Sequence, residues 1–205
     1  MRIPRDTAGN TKGLVRGART VSNIISPPVI FAVMGLALAL HELPSWEGLM
    51  WAALYGFWVS LVPSLLVGYL LKTGRISDLH MSNTKERRWP YVTSVIGSII
   101  ALTLIQLFEG PELLRCLAIF SIIELSALGI ITNFWLISIH ATAMASATVI
   151  SGLVFGWWTL IMLVPLTAVV CFIRLFLRRH DVAQVAAGLV LGTGTVLILV
   201  QLGCF

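Results

Sequence analysis

The chain has 205 residues, of which 58% are hydrophobic and 11% charged, with a formal net charge of +5, and its mean hydropathy is +0.93. Ordinary soluble domains carry about 25% charged residues, and a fold of this size has too little interior to hide so much apolar surface, so the composition excludes a purely water-soluble domain. The positive balance does not indicate nucleic acid, because the basic residues sit in short segments between apolar runs, where membrane orientation and phosphate binding account for them.

Residues 1–23 form a polar, basic tail carrying Arg2, Arg5, Lys12, Arg16 and Arg19, and residues 24–205 form a single membrane-embedded domain. The first apolar run imitates a signal peptide, with Ala37-Leu38-Ala39 as its cleavage site. Pro27-Pro28 and the length of the run favour a retained helix instead. Crossing the hydrocarbon core takes about 17–25 apolar helical residues. Segments of that order lie at 24–40, 49–71, 91–108, 113–135, 139–156, 158–177 and 183–203. They predict an all-α, polytopic transmembrane bundle of about six or seven spans. The breaks at His41–Ser45, at Glu109-Gly110-Pro111-Glu112 and at Gly156-Trp157-Trp158 carry turn and interfacial residues. The apolar runs are continuous rather than alternating, which excludes strands. Cys116, Cys171 and Cys204 lie inside apolar stretches without C-x-x-C spacing, so they read as small buried hydrophobes rather than a disulfide framework. Glu124, in the middle of the fourth span, is expected to be protonated or to bond to a Ser or Thr of a neighbouring helix, because a bare charge there is expensive.

Alternating the spans places every basic residue except Arg115 on the side of the N-terminus, with Glu42, Glu47, Glu109 and Glu112 opposite. The positive-inside rule then puts the N-terminus and the even-numbered turns in the cytoplasm, as in a multi-pass protein of an inner membrane.

Three polar clusters fall on that same face. They are Met81-Ser82-Asn83-Thr84-Lys85-Glu86-Arg87-Arg88-Trp89-Pro90, Ser138-Ile139-His140, and Arg174-x5-His180-x3-Gln184. Two spans separate each cluster from the next, so each hairpin returns the chain to one surface, where the three segments can build one site. Each has a plainer reading alone: His180 as an interfacial anchor, Lys85 to Arg88 as an orienting loop, Arg178 and Arg179 as topology determinants or headgroup contacts. Ionisable residues that cluster at a membrane favour function over anchoring.

In this order the clusters resemble the type 2 phosphatidic acid phosphatases, the PAP2 superfamily that includes the vanadium haloperoxidases, over roughly residues 70–190. Gly74-Arg75-Ile76-Ser77-Asp78-Leu79-His80 and Asn133-Phe134-Trp135-Leu136-Ile137-Ser138-Ile139-His140-Ala141 are similar to a small bacterial subgroup of that family. The resemblance implies a metal-independent phosphatase acting on a lipid phosphate or diphosphate, of phosphatidate or prenyl type, with no cofactor. His180 would be the nucleophile that becomes phosphohistidine and His140 the acid that protonates the leaving alkoxide. Arg174, Lys85, Arg87, Arg88 and Ser138 would bind the phosphate. Its partners would be the lipid substrate and the bilayer, and a homo-oligomer is compatible with it.

The chain departs from the family's pattern at three points. Trp89 rather than Arg precedes Pro90, with Met81 seven positions before Arg88. Ile139 replaces a Gly, and Gln184 stands where the family has Asp. A Gln oxygen orients a histidine by accepting Nδ1–H but carries no charge, and Asp181 points about 100° away from His180 on a helix. The alternative is therefore a catalytically weakened lipid-phosphate binder, regulator or transporter on the same fold. A magnesium-dependent prenyltransferase needs paired Asp-rich motifs, whereas Asp6, Asp78 and Asp181 are scattered; zinc-hydrolase spacings are missing as well.

Overall fold

The structure, a computed structural model, describes residues 5–76 and 84–205, with the side chains of 5–11 and 84–87 outside the described set. Among the described residues the chain is all-helical: α1 Arg5–Ile24, α2 Pro27–Glu42, α3 Trp46–Gly56, α4 Val62–Lys72, α5 Thr84–Leu107, α6 Glu112–Thr132, α7 Ile139–Phe155, α8 Trp158–Phe176 and α9 Val182–Gln201. A π-helical turn, Phe57–Leu61, joins α3 to α4 in one rod of 27 residues. Pro63 has no N–H for the carbonyl four residues back, and just ahead of it the ladder widens so that Val62 N–H reaches the Phe57 carbonyl.

Among the described residues five helices are long and apolar enough to cross a membrane: the α3–α4 rod, α5, α6, α8 and α9. The pair α1–α2, bent by 43°, passes the same test only when taken together. The break has a local cause. Ser26, before Pro27-Pro28, is extended at φ −85° and ψ 153°, as the residue preceding a proline is biased to be. The remaining expected span, α7, has only 17 residues, or about 26 Å, because residues 133–138 form a non-helical connection ahead of it.

α7 is the centre of the bundle, buried along most of its length and touching α2, α8 and α9. Its contact with α9 is backbone-close at two glycines. A Cβ on Gly188 would stand 2.7 Å from the Ser138 carbonyl oxygen, and one on Gly192 would run into the Thr142 carbonyl. Small residues at such a crossing let two helices approach in a medium that supplies no hydrophobic drive between them. Polar staples complete the packing. Ser146 donates to Glu124 at 2.6 Å, joining α7 to α6, so the buried acid has the Ser partner expected of it. Tyr55 and Ser121 hydroxyls meet at 2.7 Å, and those of Thr148 and Thr167 at 2.8 Å.

The two ends of the bundle differ. At one, the Glu42 carboxylate accepts from the backbone N–H groups of Glu112 and Leu113, at 2.7 and 2.8 Å, and so caps α6. Beside it Arg115 pairs with Glu112. Here the sequence reading of the cysteines is corrected: Cys116, near the start of α6, forms a disulfide with Cys204, just past α9, with Cα atoms 5.5 Å apart. Cys171 is free and buried, as expected. The pairing escaped the sequence because the partners are 88 residues apart and meet only when α6 and α9 end on one face. The other end carries the starts of α7 and α9 and the end of α8.

Candidate functional site at the α7, α8 and α9 ends

The spacing Arg174-x5-His180 is a pair of helix-end motifs set back to back. α8 closes in a Schellman turn: Arg179 N–H donates to the Arg174 carbonyl at 3.1 Å and Arg178 N–H to that of Leu175 at 2.9 Å. Arg178 takes the left-handed position of that turn, at φ 52°. Two residues later α9 opens with a capping box. Asp181 Oδ1 accepts Gln184 N–H at 2.8 Å, while Gln184 Oε1 accepts Asp181 N–H at 3.3 Å. His180 sits between the two motifs, and both it and Arg174 are buried.

The ring of His180 is oriented by two acceptors. Its Nδ1 lies 3.0 Å from Gln184 Oε1 and 3.2 Å from the Leu136 carbonyl oxygen. The Asp181 N–H that shares Gln184 Oε1 settles which end of the amide faces the ring, since the amide nitrogen would be opposed there by another donor. Nδ1 therefore carries a hydrogen, and in the neutral ring the basic lone pair belongs to Nε2.

The second cluster is locked against the third. Ser138 N–H donates to the Gln184 carbonyl at 3.2 Å, tying the segment before α7 to the first turn of α9. His140 is buried in the first turn of α7, with Nε2 3.2 Å from the backbone carbonyl of Ser22. Ser22 also accepts, through its hydroxyl, a 3.0 Å hydrogen bond from Nη1 of Arg174.

These groups border one cavity of about 380 Å³. His140, His180, Arg174, Ser22 and Ser26 stand on its polar side, and Phe31, Val59, Pro63, Val67 and Leu125 line the apolar remainder. A guanidinium and two imidazoles beside an apolar wall fit an amphiphile with an anionic oxyacid head.

The predicted site residues are placed unevenly. His140, His180 and Arg174 converge on the cavity, and Gln184 stands behind His180. Ser138 is fully buried as the N-cap of α7, its oxygen accepting from Ala141 N–H at 3.5 Å; it is not a wall of the cavity. Arg88 is exposed near the start of α5, whose contribution to the cavity comes from Pro90, Tyr91 and Ser94. The side chains of Lys85 and Arg87 lie outside the described residues.

Comparison with protein-family models, curated proteins and solved structures finds no match for the chain. The chemistry of the site therefore rests on its own geometry.

Sequence reasoning missed Ser22, Asn23 and Ser26. All three border the cavity, although they fall in the basic tail and at its junction with α2. The signal was the polar string Ser22-Asn23-x2-Ser26 directly before Pro27-Pro28, where the end of α1 meets the break ahead of α2.

Proposed function

We propose that the chain is a membrane phosphatase of the PAP2 type, hydrolysing a lipid phosphate or diphosphate through a phosphohistidine. One observation carries the reading: three residues from separate segments, His140, Arg174 and His180, border one largely apolar cavity, and the nucleophile's Nδ1 is held by acceptors. In the reaction, Nε2 of His180 attacks phosphorus as the ester P–O bond breaks. His140, protonated on both nitrogens, gives its Nδ1 proton to the departing alkoxide while Nε2 stays on the Ser22 carbonyl, and Arg174 gathers the equatorial oxygens. Water then cleaves the P–N bond, with His140 taking the proton back. The apolar wall accommodates the lipid chain.

The site would face the cytoplasm. Its end of the bundle holds the basic segments that orient membrane proteins, whereas the disulfide Cys116–Cys204 lies at the other end, and disulfides persist on the oxidising side of a membrane.

The test is phosphate release by the purified protein in detergent with EDTA present, offering phosphatidate, phosphatidylglycerol phosphate and prenyl mono- and diphosphates. Release that survives EDTA and falls to background in His180→Ala is the expected outcome. Release that persists in His180→Ala would overturn the mechanism. A second reading, lipid-phosphate binding without turnover, is favoured by the neutral amide of Gln184 behind the nucleophile. It predicts that folded protein binds these lipids and releases nothing.

A further inference from the structure

We infer that Ser22, at the end of α1, is a positioning residue of the phosphate site, its hydroxyl aiming Arg174 and its carbonyl orienting His140. The inference rests on the phosphate-site reading and extends it to a segment that the three sequence clusters leave out. Ser22 is 3% exposed, Arg174 3% and His140 8%, so all three meet away from bulk water. The contacts are made by different atoms of one residue: Arg174 Nη1 to Ser22 Oγ at 3.0 Å, and His140 Nε2 to Ser22 O at 3.2 Å. They cross 152 and 118 positions of sequence, so neither follows from local helix geometry.

The chemistry of each contact suits the role. An arginine side chain loses rotamer entropy when fixed; fixing it beforehand removes that cost from substrate binding. A hydroxyl fixes the guanidinium without neutralising it, as a carboxylate in its place would. A backbone carbonyl accepts only, so His140 Nε2 carries a hydrogen toward it, and the ring plane is set by an atom that no side-chain substitution removes. The location is also suitable. Ser22, Ser26 and Pro27 border the same cavity as the two histidines, and α1 packs against α8, the helix that carries Arg174. The α1–α2 elbow is thus a wall of the head-group site, although the basic residues of α1 signal only orientation.

The experiment uses the full chain in detergent and orthovanadate, a phosphate mimic, with affinity measured by calorimetry. Binding separates this inference from turnover. Wild type is expected to bind vanadate and Arg174→Ala to lose it. Ser22→Ala is expected to bind about tenfold more weakly, the scale of one hydrogen bond to a charged group, with unchanged elution and melting. In Arg174→Lys, which lacks the fork, adding Ser22→Ala is expected to change nothing further. On any lipid phosphate that is hydrolysed, the loss in Ser22→Ala is expected in KM more than in kcat. Equal or tighter vanadate binding by Ser22→Ala would overturn the inference while leaving the phosphate site standing, since the hydroxyl would then be a placeholder that substrate displaces. An undiminished effect in the Arg174→Lys background would overturn it as well. Absence of vanadate binding by folded wild type would overturn the inference and the phosphate-site reading together.

Discussion

Gln184 serves the cap of α9 and the ring of His180 with the same oxygen. Both partners are donors, so the amide cannot turn without losing two hydrogen bonds, and the His180 ring inherits the rigidity of a helix start. What the amide lacks is charge, and in the proposed reaction the imidazolium would have the dipoles of Gln184 and the Leu136 carbonyl against its Nδ1. Arg178 shows the opposite economy. The described ends of α4 and α9 place Gly74 and Gly203 at the left-handed position of their closing turns, at φ 68° and 87°, whereas α8 uses Arg178 at φ 52°. A residue with a Cβ pays about 1 kcal/mol there. Arg178→Gly is therefore expected to raise the melting temperature by a few degrees while leaving vanadate binding unchanged. A lower melting temperature would mean that the arginine side chain holds more than its backbone loses.

Helix ends make the site, and helix crossings hold those ends together. The α7–α9 crossing at Gly188 and Gly192 sets the distance between His140 on one helix and His180 just before the other. Gly192→Ala pushes a methyl into the Thr142 backbone and Ser146 Oγ, neither of which is the tip of a flexible side chain. The cost is expected at about 1–3 kcal/mol, read as a lower melting temperature in detergent. Gly194, on the same helix, has open space where its Cβ would be. Gly194→Ala is expected to be neutral or stabilising by up to about 1 kcal/mol. Equal losses in the two variants would show that glycine in α9 serves flexibility rather than close approach. The Glu124–Ser146 bond ties α6 to α7 within one helical turn of the same contact, since Ser146 Oγ also lies 2.9 Å from the Thr142 carbonyl oxygen.

The bundle as a whole is polarised along its axis. One end gathers the cavity and the ends of α1, α4 and α8; the other gathers the Glu42 cap on α6 and the Cys116–Cys204 disulfide. Orientation is tested by single cysteines at exposed positions on the two ends, labelled in intact cells with an impermeant maleimide. Glu109→Cys is expected to react from outside and Thr73→Cys only after permeabilisation. The native cysteines interfere little, two being paired and Cys171 buried. The reverse pattern would put the site outside the cell and leave the proposed chemistry untouched.

The helical membrane class was readable from sequence alone, because hydropathy over some twenty residues is a local quantity set by the solvent the segment needs. So was the Arg174, His180 and Gln184 spacing, because a Schellman turn followed by a capping box is built from adjacent residues. The number of crossings was legible less sharply, since the bend at Pro27-Pro28 divides α1 from α2 and α7 is shorter than the other spans. Only the tertiary structure decided that Ser138 caps α7 instead of lining the cavity and that Cys116 finds Cys204. Only it decided that Ser22, in a tail that reads as an orientation signal, lies against Arg174 and His140. These contacts depend on which helix ends share a face and how closely the helices cross, and no pattern within a single segment encodes that.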